Sequence, residues 1–360
     1  MRSFPTLGIP SRGSSNIAWN LCIAGFGLRP LPGKGCAHNA TGNNALMLAK
    51  RVLKRIWNHP GNRGNRLKAL GRAAGWQVYK RIAKRPLKVD FVEGFSVLCF
   101  PDSGSASNIF YGNHYFDLEE MNLMRRVLRE GDGLLDGGAN IGVYSMLAAS
   151  LVGPTGHVVA FEPFPTHVAR FRANVALNGF ANVTLRRAAV SDAAGTVSFV
   201  TNRDVSNRIQ TRTDADADTI TVECTTLDES LKGLPRFTIG KLDLEGSEIA
   251  ALNGARRLLA EANPPLWIIE WDRGLLAKRG HDPQELVRLL ESNGYRIMVL
   301  EDDRFVPAGV PQTSGNILAV HADHTNFLER RLRERNQVPP AKWTLPKLGG
   351  RVIGSAAIIV

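Results

Sequence analysis

The nonapeptide Leu134-Leu135-Asp136-Gly137-Gly138-Ala139-Asn140-Ile141-Gly142 joins an apolar run to a cluster of glycines, and few folds accept that join. It predicts a short buried strand, a tight turn and then a helix. The helix continues through Val143-Tyr144-Ser145-Met146-Leu147-Ala148-Ala149, where good helix formers keep an apolar face. Glycine lets the backbone bend sharply at such a turn and come close to a ligand. The start of the helix offers free N–H groups to an anionic group. Asp136 ends the strand, where its carboxylate can accept a hydrogen bond from a cationic or hydroxyl-bearing ligand.

The turn departs from the dinucleotide fingerprint G-x-G-x-x-G, because Gly138 and Gly142 frame it and Asn140 stands between them. A pyrophosphate needs the closest backbone approach, so the missing glycine argues against NAD. D-x-G-x-N-x-G suits a ligand without phosphates. S-adenosyl-L-methionine, with an amino acid end, a ribose and an adenine, is the cofactor expected. The plain alternative is a βα turn with structural work only.

Charge divides the chain. Of 360 residues with a formal net charge of +12, residues 1–89 carry 17 Lys and Arg and no Asp or Glu. The remainder holds 28 basic and 33 acidic residues, so a basic extension precedes a mildly acidic body. Such a block reads as a solvated arm; contact with nucleic acid or an anionic membrane surface is the sharper reading. No run approaches the roughly 20 apolar residues that span a bilayer. Cys22, Cys36, Cys99 and Cys224 are scattered without a C-x-x-C pair, which leaves zinc and redox motifs unsupported and suits reduced thiols in a cytoplasmic protein.

Residues 1–45 show no sustained period and are expected to be irregular, with a weak signal-peptide pattern at Ile17 to Leu28. Residues 46–85 predict two basic helices broken at His59-Pro60-Gly61-Asn62. The first carries the stripe Leu46, Leu48, Val52, Leu53 and Ile56, the second Leu67, Leu70, Ala74, Trp76, Val78 and Ile82; both are expected to dock on the main domain. Phe91 to Phe100 reads as a hairpin turning at Glu93-Gly94, Asn108 to Gly112 as a loop, and Leu118 to Leu128 as a helix. From Leu134, strands at 134–136, 157–161, 183–188, 238–243 and 266–270 alternate with helices at 141–152, 165–178, 247–259 and 283–292. An antiparallel insertion is expected at 197–200 with 220–223, and two last strands at 295–300 and 316–320. This alternation predicts a doubly wound α/β sheet. The chain then parses into an irregular extension 1–45, a basic helical arm and hairpin 46–130, a ligand-binding domain 131–322 and a basic C-terminal helix and tail 323–360, the helix expected from Phe327 to Arg335.

Ligands of open α/β sheets sit at the carboxyl ends of the strands, so the residues just after each strand carry the chemistry. Glu162 follows Asp136 by a spacing at which an acidic residue meets a ribose, and its carboxylate can accept from both hydroxyls. Asp192 can accept from the adenine amino group, or simply cap the turn before Gly195. In Lys241-Leu242-Asp243-Leu244-Glu245-Gly246-Ser247-Glu248, alternation puts Lys241, Asp243 and Glu245 on one side. Burying them without pairing or function would be costly. Glu270 adds a carboxylate near the same edge. A metal held by these carboxylates is an open alternative, but no His-containing ligand set is visible near them, so no metal ligands are assigned.

Asp136-Gly-Gly138-Ala-Asn140-Ile-Gly142, Phe161-Glu162-Pro163, Ala189-Val-Ser-Asp192, Thr226-Leu-Asp228 and Lys241-Leu-Asp243-Leu-Glu245-Gly246 occur in the order of the FkbM-like S-adenosylmethionine-dependent methyltransferases. The chain resembles that family over about residues 55–322, including Trp76-Gln77 and Asn316-Ile-Leu; Gly137 and Leu242 stand where many relatives have a β-branched residue. The resemblance implies a class I, Rossmann-like seven-stranded sheet and O-methylation of a sugar, glycan or natural-product hydroxyl. It carries cofactor roles to Asp136, Gly138, Asn140, Gly142, Glu162 and Asp192. Lys241, Asp243 and Glu245 are then the candidate catalytic residues. Two rivals are an RNA methyltransferase using the basic arm and a non-catalytic adaptor. Asn263-Pro264-Pro265-Leu266 resembles the N-P-P-aromatic box of amino-directed methyltransferases, but it precedes a strand and lacks the aromatic, so a helix stop is the better reading.

Overall fold

The computed structural model describes residues 38–91, 93–113, 117–201, 208–209, 218–334, 347–348 and 351–352. The chain divides into two compact units, Met1–Arg85 with Ser107–Phe116, and Pro86–Ala106 with Asp117–Val360. The hairpin thus groups with the larger unit rather than with the arm. The weak signal-peptide stretch, Cys22 and Cys36 lie outside the described residues.

In the smaller unit, α1 (His38–Asn58) begins within the stretch expected to be irregular. Pro60 lacks the N–H that would continue the helix, and the chain turns through Pro60–Asn62 into α2 (Arg66–Ile82). Asn65 caps α2, its side chain accepting from the Lys68 N–H at 3.0 Å. Ile56, Ala69 and Ala73 pack with Val52, Leu70 and Tyr111, so the two helices bury apolar faces against each other. The expected loop at 108–112 is instead mostly helical, in α3 (Gly104–Tyr111). Packing explains the override: Ile109 is buried, and Phe110 stacks on Trp76 at 4.3 Å between centroids.

The larger unit opens with a hairpin, β1 (Leu87–Asp90) paired with β2 (Ser96–Cys99), which starts earlier than expected. Next come α4 (Leu118–Val127), β3 (Gly133–Gly137), α5 (Val143–Val152), β4 (His157–Phe161), α6 (Pro165–Asn178) and β5 (Val183–Arg186). A separate small sheet holds β6 (Ala189–Val190), β7 (Gly195–Val200), β8 (Arg208–Ile209) and β9 (Thr219–Thr225), with β7 and β9 antiparallel as expected. The chain returns through α7 (Leu227–Ser230), β10 (Ile239–Leu242), α8 (Glu248–Asn253), α9 (Arg256–Ala260), β11 (Leu266–Trp271), α10 (Arg273–Lys278) and α11 (Pro283–Glu291). It ends with β12 (Tyr295–Glu301), β13 (Arg304–Pro307), β14 (Gly315–His321) and α12 (Thr325–Glu334).

The main sheet runs β13-β12-β14-β11-β10-β3-β4-β5. The strands β5, β4, β3, β10 and β11 are parallel, and β14 is antiparallel to both β11 and β12. This is the doubly wound class I arrangement with one added edge strand. That strand, β13, returns from β12 through Asp302-Asp303, both with positive φ, as a two-residue hairpin turn requires. The helix expected at 247–259 is split into α8 and α9, because the Asp228 carboxylate accepts from the N–H groups of Arg257 and Leu258 and starts a new helix there. The core lies between the sheet and its helices, around Leu135, Phe161, Trp267, Ile269 and Leu286. The order of strands reverses between β3 and β10, which opens a crevice at their carboxyl ends. Among the described residues no helix is long and apolar enough to cross a membrane, and Cys99 and Cys224 are buried and not disulfide-bonded.

Candidate functional site

The glycine turn sits at the strand-order reversal and is held from three sides. Gly138 has φ of +80°, and a Cβ there would lie 2.0 Å from the Asp243 carbonyl oxygen. Gly142 has φ of +89°, and a Cβ there would lie 2.7 Å from the Phe171 ring. Both positions therefore need glycine for conformation and for space. Asn140 also has positive φ, at 53°, which asparagine tolerates by bonding locally: its side chain accepts from the Ile141 N–H at 2.8 Å. Asn174 of α6 donates to the Ile141 carbonyl at 2.8 Å and accepts from the Leu98 N–H at 2.8 Å, tying the hairpin to the turn.

Glu162 is buried behind this turn. One carboxylate oxygen accepts from the Asn140 N–H at 2.8 Å and the other from the Phe164 N–H at 2.9 Å. Its observed work is to fix the turn; Oε1 also faces the buried His167 Nδ1 at 3.6 Å, and Oε2 keeps a further lone pair for a ligand hydroxyl. Asp136 is 1% exposed, and one oxygen accepts from Ser145 Oγ at 2.6 Å. Its Oδ1 is buried with no hydrogen-bond partner among the described residues. Burial raises the Asp136 pKa, opposed by the nearby Lys241 charge. An unsatisfied acceptor beside the glycine turn fits a ligand that brings a donor, as S-adenosyl-L-methionine does with its ammonium and ribose hydroxyls.

The second half of the site follows β10. Lys241 is 2% exposed, its Nζ 3.0 Å from Asp243 Oδ2 and 4.7 Å from the centre of the Tyr144 ring. Burial alone would lower its pKa, but Asp243, Asp136 and Asp117 together push it above the usual lysine range. Tyr144 donates to Asp117 at 2.9 Å, and burial with the Glu120 charge raises the Asp117 carboxyl to about 6. The Asp243 N–H bonds the Gly137 carbonyl at 3.0 Å, so this segment abuts the glycine turn. Glu245 has φ of +53°, and its N–H bonds Glu270 Oε2 at 3.1 Å. One oxygen each of Asp243, Glu245 and Glu270 lies within 4.8 Å of the others, an all-oxygen set of the kind a hard divalent cation accepts. The sequence placed Glu270 near the same edge and left a metal on these carboxylates open, but with no histidine to mark the place it assigned no ligands. Burial and the surrounding carboxylates raise the proton affinity of Glu270. Glu248 is also raised by burial, although its carboxylate accepts from the N–H groups of Leu244 and Gly246.

Asp117 and Tyr144 were missed from the sequence, and Asn316, quoted only as part of the resemblance, was given no role. Asn316 sits opposite Glu270 in the β11–β14 register and donates to Glu120 at 2.9 Å. Asp192 is exposed and borders a cavity of about 530 Å³ with Thr226, Asp228, Asn253, Gly254 and Arg256; no glycine-turn residue lines that cavity. Thr226 caps α7 and Asp228 caps α9, so that motif fastens the scaffold. Asn263 and Pro264 precede β11, away from the carboxyl ends, and bond Phe237 N–H and Tyr295 OH. The structural reading of the proline box holds there.

Residues 136–297 match the family model of the methyltransferase FkbM domain. The chain is 17% identical to methyltransferase FkbM from Methylobacillus flagellatus KT, over 71% of this chain and 60% of that one, with a TM-score of 0.34. It therefore spans 60% of the length of that protein. It is 16% identical to an S-adenosylmethionine-dependent O-methyltransferase from Thermotoga maritima, over 66% and 78% of the two chains, with a TM-score of 0.35. Aeropyrum pernix fibrillarin, in complex with natively bound S-adenosyl-L-methionine, is 14% identical over 54% and 68%, with a TM-score of 0.32. No curated protein matches the chain. The strand order of the sheet, and not these superpositions, defines the fold.

Proposed function

We propose, from the match of residues 136–297 to the methyltransferase FkbM domain, that the chain transfers a methyl group from S-adenosyl-L-methionine to a hydroxyl oxygen of a sugar, glycan or natural product. The observation that carries this reading is the contact between the two halves of the site, where the Asp243 backbone packs on Gly137 and Gly138. A cofactor held on the glycine turn would lie next to a cluster of proton acceptors. Asp136, with its unsatisfied oxygen, and Glu162, braced by Asn140 and Phe164, would hold it.

The bound cofactor would supply a methyl group already activated by its sulfonium. A neutral hydroxyl is a weak nucleophile, so the protein must align the acceptor oxygen and take its proton as the oxygen–carbon bond forms. Asp243 is suited to be that base, since its side chain is 39% exposed and can meet an acceptor, while Lys241 holds the carboxylate in place at 3.0 Å. Glu245 is the alternative base on the same segment. Asp243→Asn keeps the shape and removes the basicity. It should lower turnover by about 10²–10⁴-fold, the usual scale of general base catalysis, with cofactor affinity nearly unchanged. Transfer of labelled methyl to a panel of hydroxylated acceptors measures this. Normal turnover in both Asp243→Asn and Glu245→Gln would refute the base assignment. Loss of wild-type turnover with a chelator, restored by a divalent cation, would reassign Asp243, Glu245 and Glu270 as metal ligands.

A further inference from the structure

Helix α2 has two apolar faces. Ala69, Ala73 and Trp76 are buried on one side within the smaller unit. On the other, Leu67, Gly71, Ala74, Val78 and Ile82 recur at helical spacing, and all are exposed. Leu67 and Ile82 are 77% and 78% exposed, far more than large apolar side chains on a finished surface need be. The stripe runs about 22 Å along the helix axis, from the rise of 1.5 Å per residue. Lys68 and Arg81 flank it on its two sides.

Helix α1 supplies matching charge. Lys50, Arg51, Lys54 and Arg55 share an exposed face with Met47 and Trp57. Arg66 lies over the Trp57 ring at 5.1 Å and donates to its carbonyl, which joins the two helices at that point. Residues 46–85 hold 12 Lys and Arg and no acidic residue. No internal salt bridge can neutralise these charges within the segment, so it presents an unbalanced positive charge to its surroundings.

We propose that this helical pair docks on an anionic lipid bilayer surface, with Leu67, Val78 and Ile82 entering the headgroup boundary and the flanking lysines and arginines meeting acidic headgroups. An apolar stripe bordered by cations and free of acidic residues is the pattern of an interfacial helix, whereas a nucleic acid backbone would use the charge and leave the stripe idle. The proposal is independent of the methyl-transfer reading.

Sedimentation of the full chain tests it, using vesicles of phosphatidylcholine and vesicles in which part of that lipid is replaced by phosphatidylglycerol. The expected result is binding to the anionic vesicles at least about tenfold stronger than to the neutral ones, weakening as salt is added. A triple variant, Leu67→Gln with Val78→Gln and Ile82→Gln, should lose about tenfold or more of that binding while keeping the wild-type melting profile, because all three side chains are exposed. Lys50→Glu with Lys54→Glu should lose it too. Failure to bind anionic vesicles overturns the proposal. So does a triple variant that binds them as tightly as wild type. Preferential binding of an RNA oligonucleotide unaffected by the triple variant, or dimerisation abolished by it without vesicle binding, would assign the face to another occupant and likewise overturn it.

Discussion

Replacing Lys241 by Met removes the cation at the centre of the site while keeping the side-chain length. Lys241 is 2% exposed, and its ammonium faces Asp243 at 3.0 Å and influences Asp136 and Asp117. Asp243 is partly exposed, so water can compensate it; Asp136 is buried and, among the described residues, retains the Ser145 hydroxyl as its hydrogen-bond donor. Removing one partner of a fully buried ion pair costs about 3–5 kcal/mol; with Asp243 39% exposed to water the expected loss is about 2–3 kcal/mol, the lost contact with the Tyr144 ring included. The lysine pKa is raised, so its stabilisation is complete below the ordinary lysine range and constant across about pH 5–8. The carboxyls behave in the opposite way. Their folded pKa values are raised, to about 6 for Asp117, and would rise further without the cation. The folded variant then binds more protons than the unfolded chain, and its stability falls as pH rises through that range. Urea unfolding of wild type and Lys241→Met across this range measures the difference. The deficit should be largest at the alkaline end and shrink on acidification, and Asp136→Asn in the Lys241→Met background should recover about 1–3 kcal/mol. A deficit below about 1 kcal/mol, or one independent of pH, would refute the assignment of Lys241 as the counter-charge of this cluster.

Gly138→Ala places a Cβ 2.0 Å from the Asp243 carbonyl at a positive φ, so it should cost about 2–5 kcal/mol from strain and overpacking combined and weaken cofactor binding; calorimetry with an unchanged affinity would contradict the contact between the two halves. Glu162→Ala should weaken S-adenosyl-L-methionine by about 1.5–3 kcal/mol and also lower the melting temperature, because the N–H groups of Asn140 and Phe164 lose their acceptor; a variant with full thermal stability would show that the bracing is dispensable. Glu270→Gln should stabilise the protein at neutral pH by about 1 kcal/mol or more. The reason is that a carboxyl whose folded pKa is raised costs stability above its unfolded pKa. The advantage should fade as pH falls through the ordinary glutamate range, and a destabilised variant would refute like-charge crowding around Glu270.

The turn at 134–142 and the helix at 165–178 were legible because local chemistry sets them: glycines at positive φ, Pro165 in a first turn, an apolar strand before each. The loop expected at 108–112 was not, because Phe110 is held in a helix by Trp76, a residue far back in the chain. The stripe read for the second helix of the basic arm joined two faces: at 3.6 residues per turn Trp76 lies opposite Leu67, Val78 and Ile82, and only the Trp76 face is buried. Periodicity locates apolar residues on a helix; it does not say which side finds a partner.

By itself the sequence determined the alternation of strands and helices, hence a doubly wound sheet, and it placed Asp136, Glu162, Lys241 and Asp243 at strand ends. Those are properties of spacing and local conformation, which neighbours along the chain control. Tertiary structure alone decided that Asp243 lies against Gly138, that both Glu162 oxygens are already engaged by backbone N–H groups, and that Glu270 joins Asp243 and Glu245 within 4.8 Å. It also decided that Asp192 borders a cavity with Thr226 and Asp228. The physical reason is that pairing β10 with both β3 and β11 brings together residues far apart in the sequence, and the charge states of the acidic groups depend on that assembled neighbourhood.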